Sequence, residues 1–455
     1  MKKLVLSAAV AFFMTAAATA QSNVDLTAQD GTGNTATTLQ DGSSNGNILT
    51  QSGDMNMSDV DQIGTGNGSA TGQLGTGNMA VIAQTGTGNM SGLLQDGTAN
   101  DADVSQDGSA NASFIAQSTA DNEATIIQRG TENTSFLTQE GNRNIATIRQ
   151  PRDLGTSDYN SSTASQLGDD NEIVVEQYGV GNHSALVSQD GEDNFMRVRQ
   201  GGNGHSAVIS QQGIDNDVYS QQSGADNELT VAQIGEDNFA TEFTSGQRNI
   251  ISVSQTGDDN YSRGYRFGSD HQTTVTQLGD NNDSNVEQAG SFNNAIVMQT
   301  GDFNDSEIDQ DGTSNLGIVA QMGDLNEASL SQVGTSNGGG IGQLGDSNVA
   351  TITQDGTSNS ALSLQTGDLN TSWMYQDGIS NVGGIAQVGD SNTSWMYQDG
   401  TSNYISVSQT GDLNSSYSMQ LGTSNSSTIS QSGESHFHGG AQSGTGNTLT
   451  VTQSN

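Results

Sequence analysis

The sequence predicts an all-β chain: a parallel, in-register, cross-β solenoid of 22-residue strand-turn-strand-turn units, each made of two 11-residue arms. Three observations predict it. One pattern, Gln-x-Gly-x-x-Asn followed by five further residues, recurs from Gln29 to Gln453. Within an arm, residues two apart share a character, as strands require. A glycine and an asparagine in nearly every arm argue against helix, the other structure that an 11-residue period would suit.

Along the chain, residues 1–20 read as a cleaved secretory signal. Lys2 and Lys3 open it, Leu4 to Met14 are almost entirely apolar, and Ala18-Thr19-Ala20 supplies the small residues before the expected cut. The apolar run is too short for a bilayer, which takes ~20 residues. Repeats then occupy 21–150, an insert 151–165 holds the only proline, Pro151, and repeats resume over 166–455. The spacing is 11 from Gln29 to Gln150, 16 from Gln150 to Gln166, and 12 from Gln177 to Gln189. It then stays at 11 for 24 consecutive steps to Gln453, and 37 of the 39 slots carry Gln, Thr244 and Arg266 being the exceptions. Such regularity decides the fold.

Alternation makes the unit two arms rather than one. After each glycine the residue runs Asp302, Thr313, Asp324, Thr335, Asp346, Thr357 and onward; the seventh position after Gln runs Ala80, Ser91, Ala102, Ser113, Ala124, Ser135. The segment Thr371 to Gly378 recurs two arms later, at Thr393 to Gly400.

In Asn78 to Gln84, positions 78, 80, 82 and 84 fall on one strand face. Across units that face reads Asn, small residue, aliphatic, Gln, with Ile82, Leu93, Val104, Ile115 and Ile126 in successive aliphatic slots. Gly-x-x-Asn is turn chemistry, both residues tolerating positive φ. Stacked units give about 19 layers, on the order of 90 Å at ~4.8 Å each. The core is then a thin aliphatic seam flanked by amide ladders. The ladder and turn positions expected to carry it are represented by Gln73, Gly75, Asn78, Gln84, Gly86, Asn89 and Gln95, and by Gln354, Gly356, Asn359, Gln376 and Gln398.

Composition fits that narrow core. Only 31% of the 455 residues are hydrophobic, there are 59 glycines and no cysteine, and 51 acids face 11 bases for a net charge of −40. Several globular domains cannot be filled with so little apolar side chain, whereas a solenoid needs one stripe per arm. The acidic balance excludes nucleic acid and anionic lipid as partners. Without Lys2 and Lys3 the chain has no lysine, its charge is −42, and its nine arginines all lie between Arg129 and Arg266.

Units such as Gln73-Leu74-Gly75-Thr76-Gly77-Asn78-Met79-Ala80-Val81-Ile82-Ala83-Gln84 resemble the curlin repeat of bacterial curli fibre subunits, Ser-x5-Gln-x-Gly-x-Gly-Asn-x-Ala-x3-Gln. The resemblance covers nearly all of 29–453. It implies an exported protein of a Gram-negative-type bacterium, secreted to the cell surface, that forms or joins amyloid-like fibres for adhesion and biofilm matrix. It also implies a nucleator and an outer-membrane export channel as partners. The chain departs from the family's pattern in having many more repeats and glycine in nearly every arm. Only Gln21 to Ala28 separates the expected cut from the first repeat Gln.

No catalytic constellation, phosphate loop, cofactor motif or metal site is assigned. His183, His205, His271, His436 and His438 are the only histidines, and His205, His271 and His436 replace asparagine in its slot. His436 and His438 share a strand face and could ligate a metal, but no further histidine is near in sequence. Acid pairs at Gly168–Asn171 and Gly257–Asn260 read as solvated turns, with shared calcium as the alternative. No outward threonine ladder persists, because Trp373 and Tyr375 follow Thr351 and Thr353 one unit on, which disfavours ice binding. The outward pairs Trp373/Tyr375 and Trp395/Tyr397 should stack, and read either as strand propensity or as a contact surface for a neighbouring fibre or a glycan.

The expected function is therefore a secreted structural subunit that self-associates end to end, with no catalysis. The alternative is a monomeric solenoid adhesin whose long face binds a glycan or cations.

Overall fold

The computed structural model describes residues 22–150 and 159–455; the signal-like residues 1–20 lie outside the described residues. These residues form 39 strands, β1 (Val24–Asp30) to β39 (Thr448–Ser454), and no helix. They divide into two compact units, one ending at Leu229 and the other beginning at Thr230.

In the first unit successive strands alternate between two parallel sheets. β1 pairs with β3 (Gly46–Asp54), Gln29 opposite Gln51, while β2 (Thr35–Ser43) pairs with β4 (Met57–Thr65), Gln40 opposite Gln62. The offset is one two-arm repeat in both sheets, so like residues stack on like. The second unit repeats the arrangement. There β30 (Val349–Thr357) pairs with β32 (Thr371–Ile379), Gln354 opposite Gln376, and β29 (Gly338–Leu344) pairs with β31 (Ser360–Thr366), Gln343 opposite Gln365. Each unit is a parallel β-solenoid. The Ala/Ser and Asp/Thr alternations fall one partner to each sheet: Ala80 and Ala102 oppose each other in one, Ser91 and Ser113 in the other.

Pairing resumes in register after both spacing irregularities. Residues 151–158 of the insert lie outside the described residues, but Asn160 is buried and β13 (Ser161–Asp169) already pairs in register with β11 (Thr134–Glu140), Ser161 opposite Thr134. The step between layers is longer there: Gln139 stands opposite Gln166, where the regular spacing sets Gln117 opposite Gln139. The extra residue between Gln177 and Gln189 is a bulge at the end of β14 (Glu172–Gly181), where the pairing register shifts between Gly179 and Gly181.

In each unit the core sits between the sheets as a seam. Val60, Ile82, Val104, Ile126 and Ile148 from one sheet face Leu49, Leu93, Ile115 and Leu137 from the other, all buried. Each contributes about 2 kcal/mol by leaving water. Size is matched across the seam. Met374 and Met396 are longer than the usual Ile or Val, and opposite them stands Gly383, whose added Cβ would lie 2.8 Å from Met374 Sδ and 2.7 Å from Met396 Sδ.

Candidate functional site

Within each unit the glutamine slots stack into side-chain ladders between the sheets. Gln51 Nε2 donates to Gln73 Oε1 at 2.8 Å, and Gln73 Nε2 to Gln95 Oε1 at 2.9 Å. The opposite sheet carries its own column, Gln62 to Gln84 at 2.8 Å and Gln84 to Gln106 at 2.8 Å. In the second unit Gln354 donates to Gln376 at 2.9 Å and Gln376 to Gln398 at 2.8 Å. Each amide also ties the two sheets together, since Gln354 Nε2 reaches the Gly338 carbonyl at 3.0 Å. These amides are all buried, and an orphaned one would cost about 1–3 kcal/mol.

Asparagine forms a second ladder with the opposite sense. The Asn78 backbone N–H and Nδ2 both donate to Asn56 Oδ1 at 3.1 Å, one layer back, and Nδ2 reaches the Gly97 carbonyl one layer forward at 3.1 Å. Asn89 donates to Asn67 Oδ1 in the same way, and Asn359 to Asn337 Oδ1 at 3.0 Å. Glutamine side-chain donors thus point along the chain's stacking direction, whereas asparagine donates backward, to the Oδ1 of the preceding layer.

Glycine makes nearly every described turn, Thr119 standing in for it once, but the ladder asparagine does not take the left-handed role expected of it. Gly75, Gly86 and Gly356 have φ of 114°, 115° and 114°. A Cβ on Gly75 or Gly356 would run into the carbonyl oxygen of Gly97 or Gly378 in the next layer. The second left-handed residue is the one before the asparagine, Ser358 at φ 57° for example, because the asparagine itself is drawn into the core ladder.

In the second unit a carboxylate row follows the turns. At every 22nd residue from Asp258 to Asp412, Oδ1 accepts the backbone N–H of the matching residue one layer back, at 2.9–3.0 Å. The paired acids are therefore hydrogen-bonded turn elements. Among the described residues no three His, Asp or Glu side chains are grouped to hold a metal ion.

The aromatic pairs do stack. Trp373 and Trp395 lie 5.0 Å apart and 6° from parallel, Tyr375 and Tyr397 5.2 Å and 11°. The two columns stand side by side, 6.0 Å from Trp373 to Tyr375. All four rings are half-buried on the outer sheet face. Past Tyr417 the outward side chains shrink to Gly439 and Ala441, leaving a shallow trough of about 290 Å³ walled by Trp395 and Tyr417.

A family model described as the curlin associated repeat matches residues 97–128, 119–151, 191–224, 224–257, 246–279, 279–312, 323–356, 345–378 and 400–433, more than half of the chain. The chain belongs to the curlin-repeat family. No curated protein matches it. The repeats and the solenoid are structural rather than enzymatic, and suggest a curli-like structural subunit at or outside the cell surface.

Three features of this curlin-repeat chain escaped the sequence reading. The first is a buried ion pair. Glu242 takes an aliphatic slot and Arg266 a glutamine slot; Arg266 Nη1 donates to Glu242 Oε2, and Arg266 Nε to Thr273 Oγ1 at 3.0 Å. Both side chains are fully buried. Gly264 makes the room, since a Cβ there would overlap both charged groups. Burial pushes the Glu242 carboxyl up against the pull of Arg266. The signal was present in the two slots lacking Gln, Thr244 and Arg266, beside a glutamate at an aliphatic position.

The second is His183. The one-residue bulge places it, and not Asn182, in the asparagine ladder: its N–H donates to Asn160 Oδ1 at 3.2 Å, and its Nδ1 accepts from the His205 N–H at 3.3 Å. The rings of His183 and His205 stack at 5.1 Å. Burial, aided by the neighbouring His205, lowers the His183 pKa to about 4; burial also lowers those of His205, His271 and His438. The third is another outward aromatic cluster, Phe239 on Tyr261 at 5.0 Å and Phe243 on Tyr265 at 5.4 Å, with Arg263 over the Tyr261 ring at 5.2 Å.

Proposed function

We propose that the chain is a secreted structural subunit that assembles end to end into extracellular curli-like fibres serving adhesion and biofilm matrix. One observation carries the reading: like residues stack on like from layer to layer, so the backbone edge and amide column that join one layer to the next can equally join one copy to another. Among the described residues β1 pairs only with β3, and β39 only with β37 (Ser426–Ser432). Gln453 accepts from Gln431 at 2.8 Å and hands its own amide only to the Phe437 carbonyl of the same layer. Such an edge presents both backbone and amide partners to another layer. Removal of residues 1–20 on export, through an outer-membrane channel, and nucleation by a partner at the cell surface belong to the same reading. The ladder residues named above are the ones we assign to cohesion.

Electron microscopy and fibre diffraction of the purified chain beginning at Gln21 test it. Growing fibres with a ~4.8 Å meridional reflection are expected. Soluble rods of fixed length, with no reflection, would refute assembly and favour a monomeric adhesin. Mass spectrometry of the exported chain tests the cut after Ala20.

A further inference from the structure

End-to-end growth uses the edges of the sheets and leaves the outer faces unassigned. On one of these faces, β32 and β34 (Thr393–Thr401) present four parallel rings, Trp373 and Tyr375 over Trp395 and Tyr397. Asp355, Asp377 and Asp399 stand in register beside the tyrosine column, three like charges one layer apart. Burial and its two neighbours hold the Asp377 carboxyl above the usual range. No lysine or arginine occurs after Arg266, so this segment supplies no cation of its own. Electron-rich ring faces bordered by uncompensated carboxylates select a flat cation, and guanidinium fits both parts.

The only cations in the chain after Lys3 are its arginines, and three of them share a face. Arg149, Arg197 and Arg199 converge on one carboxylate, Glu176, at 3.4, 3.1 and 3.1 Å, three cations on one acid. Their side chains remain 51%, 43% and 40% exposed. Arg197 and Arg199 occupy the first and third outward positions before the ladder Gln200, the same two positions that Trp395 and Tyr397 hold before Gln398. Side chains two apart on a strand are separated by about 6.6 Å. The two ring columns are 6.0 Å apart, so one arginine can meet each. Guanidinium on ring is already a contact of this chain, with Arg199 5.8 Å from the Tyr178 ring centre.

We propose that the four-ring shelf of one molecule docks the Arg149–Arg197–Arg199 face of a second copy, side by side. The two surfaces differ and every copy carries one of each, so the contact can link copies in series. It requires neither the end-to-end contact nor fibre growth.

Two variants and their mixture test it. Trp373→Thr/Trp395→Thr removes the tryptophan column of the shelf with the residue that the neighbouring layer already carries at Thr351, and Arg197→Gln/Arg199→Gln removes two of the three cations; circular dichroism checks that both keep the β-sheet spectrum. If the chain forms fibres, each variant alone should give single filaments at unchanged growth rate, while separately grown filaments of the two should bundle when mixed, since each retains the face that the other lacks. If the chain stays as single rods, sedimentation velocity of the same samples reads the same contact: wild type and mixture associate with concentration, each variant alone at least tenfold more weakly. Arg197→Lys/Arg199→Lys, which keeps charge but loses the planar group, should weaken association several-fold. A variant that associates like wild type, or a mixture that does not associate, overturns the contact, as does a wild type that neither bundles nor self-associates. The lateral contact and the end-to-end reading can thus fail separately.

Discussion

Replacing Gln354 by glutamate asks whether the amide ladder is what holds the layers together. Gln354 is fully buried, accepts from Gln332 Nε2 at 2.8 Å, and donates to Gln376 Oε1 at 2.9 Å and to the Gly338 carbonyl at 3.0 Å. Glutamate is its near-isostere. Ionised, it would turn an oxygen toward two acceptor oxygens in a dry seam, so the fold must hold it protonated. Keeping a carboxyl of pKa ~4.3 neutral at pH 7 costs about 3.7 kcal/mol, at about 1.36 kcal/mol per unit. The neutral acid then offers one O–H where the amide offered two N–H, leaving one acceptor orphaned for about 1–3 kcal/mol more. The expected loss is about 5 kcal/mol near neutrality.

The sign with pH follows from the raised folded pKa. The folded state binds the proton more tightly than the unfolded chain, so the deficit is largest above the folded pKa. It shrinks as pH falls through that value toward ~4.3, leaving only the orphaned acceptor. Hydrogen exchange across β28 (Glu327–Thr335), β30 and β32, each referred to wild type at the same pH, reads this locally in a chain whose layers need not unfold together. At pH 7.5 protection should drop by three to four orders of magnitude, at tenfold per ~1.4 kcal/mol, and most of it should return at pH 3.5. Gln354→Met, which removes the amide without adding a charge, should give a loss of similar size at both pH values. Wild-type protection in the glutamate variant at pH 7.5, or a deficit as large in acid as at neutrality, would refute the ladder as a source of cohesion.

Other substitutions probe other parts of the repeat. Gly356→Ala should cost more than about 3 kcal/mol, from a left-handed φ and a clash with the Gly378 carbonyl, whereas Gly338→Ala, with ordinary φ and open space, should be tolerated; guanidinium midpoints compare them. Arg266→Gln alone should lose about 3–5 kcal/mol by stranding buried Glu242, and adding Glu242→Ile should recover most of it in the same titration. His183 is held neutral, with a folded pKa of about 4 below the unfolded value near 6.5, so its contribution is complete above pH 6.5 and is lost as pH falls toward 4. Hydrogen exchange over β14 to β16 (Phe195–Asn203) should therefore speed in that window, and His183→Asn with His205→Asn should remove the effect.

What was legible was whatever the repeat repeats. Periodicity placed Gln73, Gly75 and Asn78 in one arm, the two-residue strand period put Asn, Ala, Ile and Gln on one face, and alternation of Ala80 with Ser91 separated the sheets. What stayed hidden depends on single departures from the period. A fixed count of five from Gln177 points to Asn182, and only the bulge that follows Gly179 shows that His183 takes the ladder. The inward face and the turn both claim the asparagine in the pattern; burial of its side chain outweighs its tolerance of positive φ and passes the left-handed role to the residue before it. Glu242 and Arg266 belong to different arms, and nothing in a pattern of slots says that one guanidinium will cross from the amide column to meet a carboxylate one layer back.

Those departures have a consequence for register. Where every layer is alike, a strand stacks equally well one whole unit away, because that shift again sets Gln on Gln and aliphatic on aliphatic. The amide ladder specifies parallel, in-register pairing but does not count layers. The irregular layers do count them. The Glu242–Arg266 pair, which joins two adjacent layers, fits only where Gly264 clears the seam; slipped by one unit, Arg266 would meet an ordinary amide layer with its charge buried and unmatched, at about 3–5 kcal/mol. The longer step from Gln139 to Gln166 and the bulge at Gly179 have no counterpart one layer away either. The repeats supply cohesion that is indifferent to position, and a few layers that break the repeat turn a stack of equivalent units into one structure.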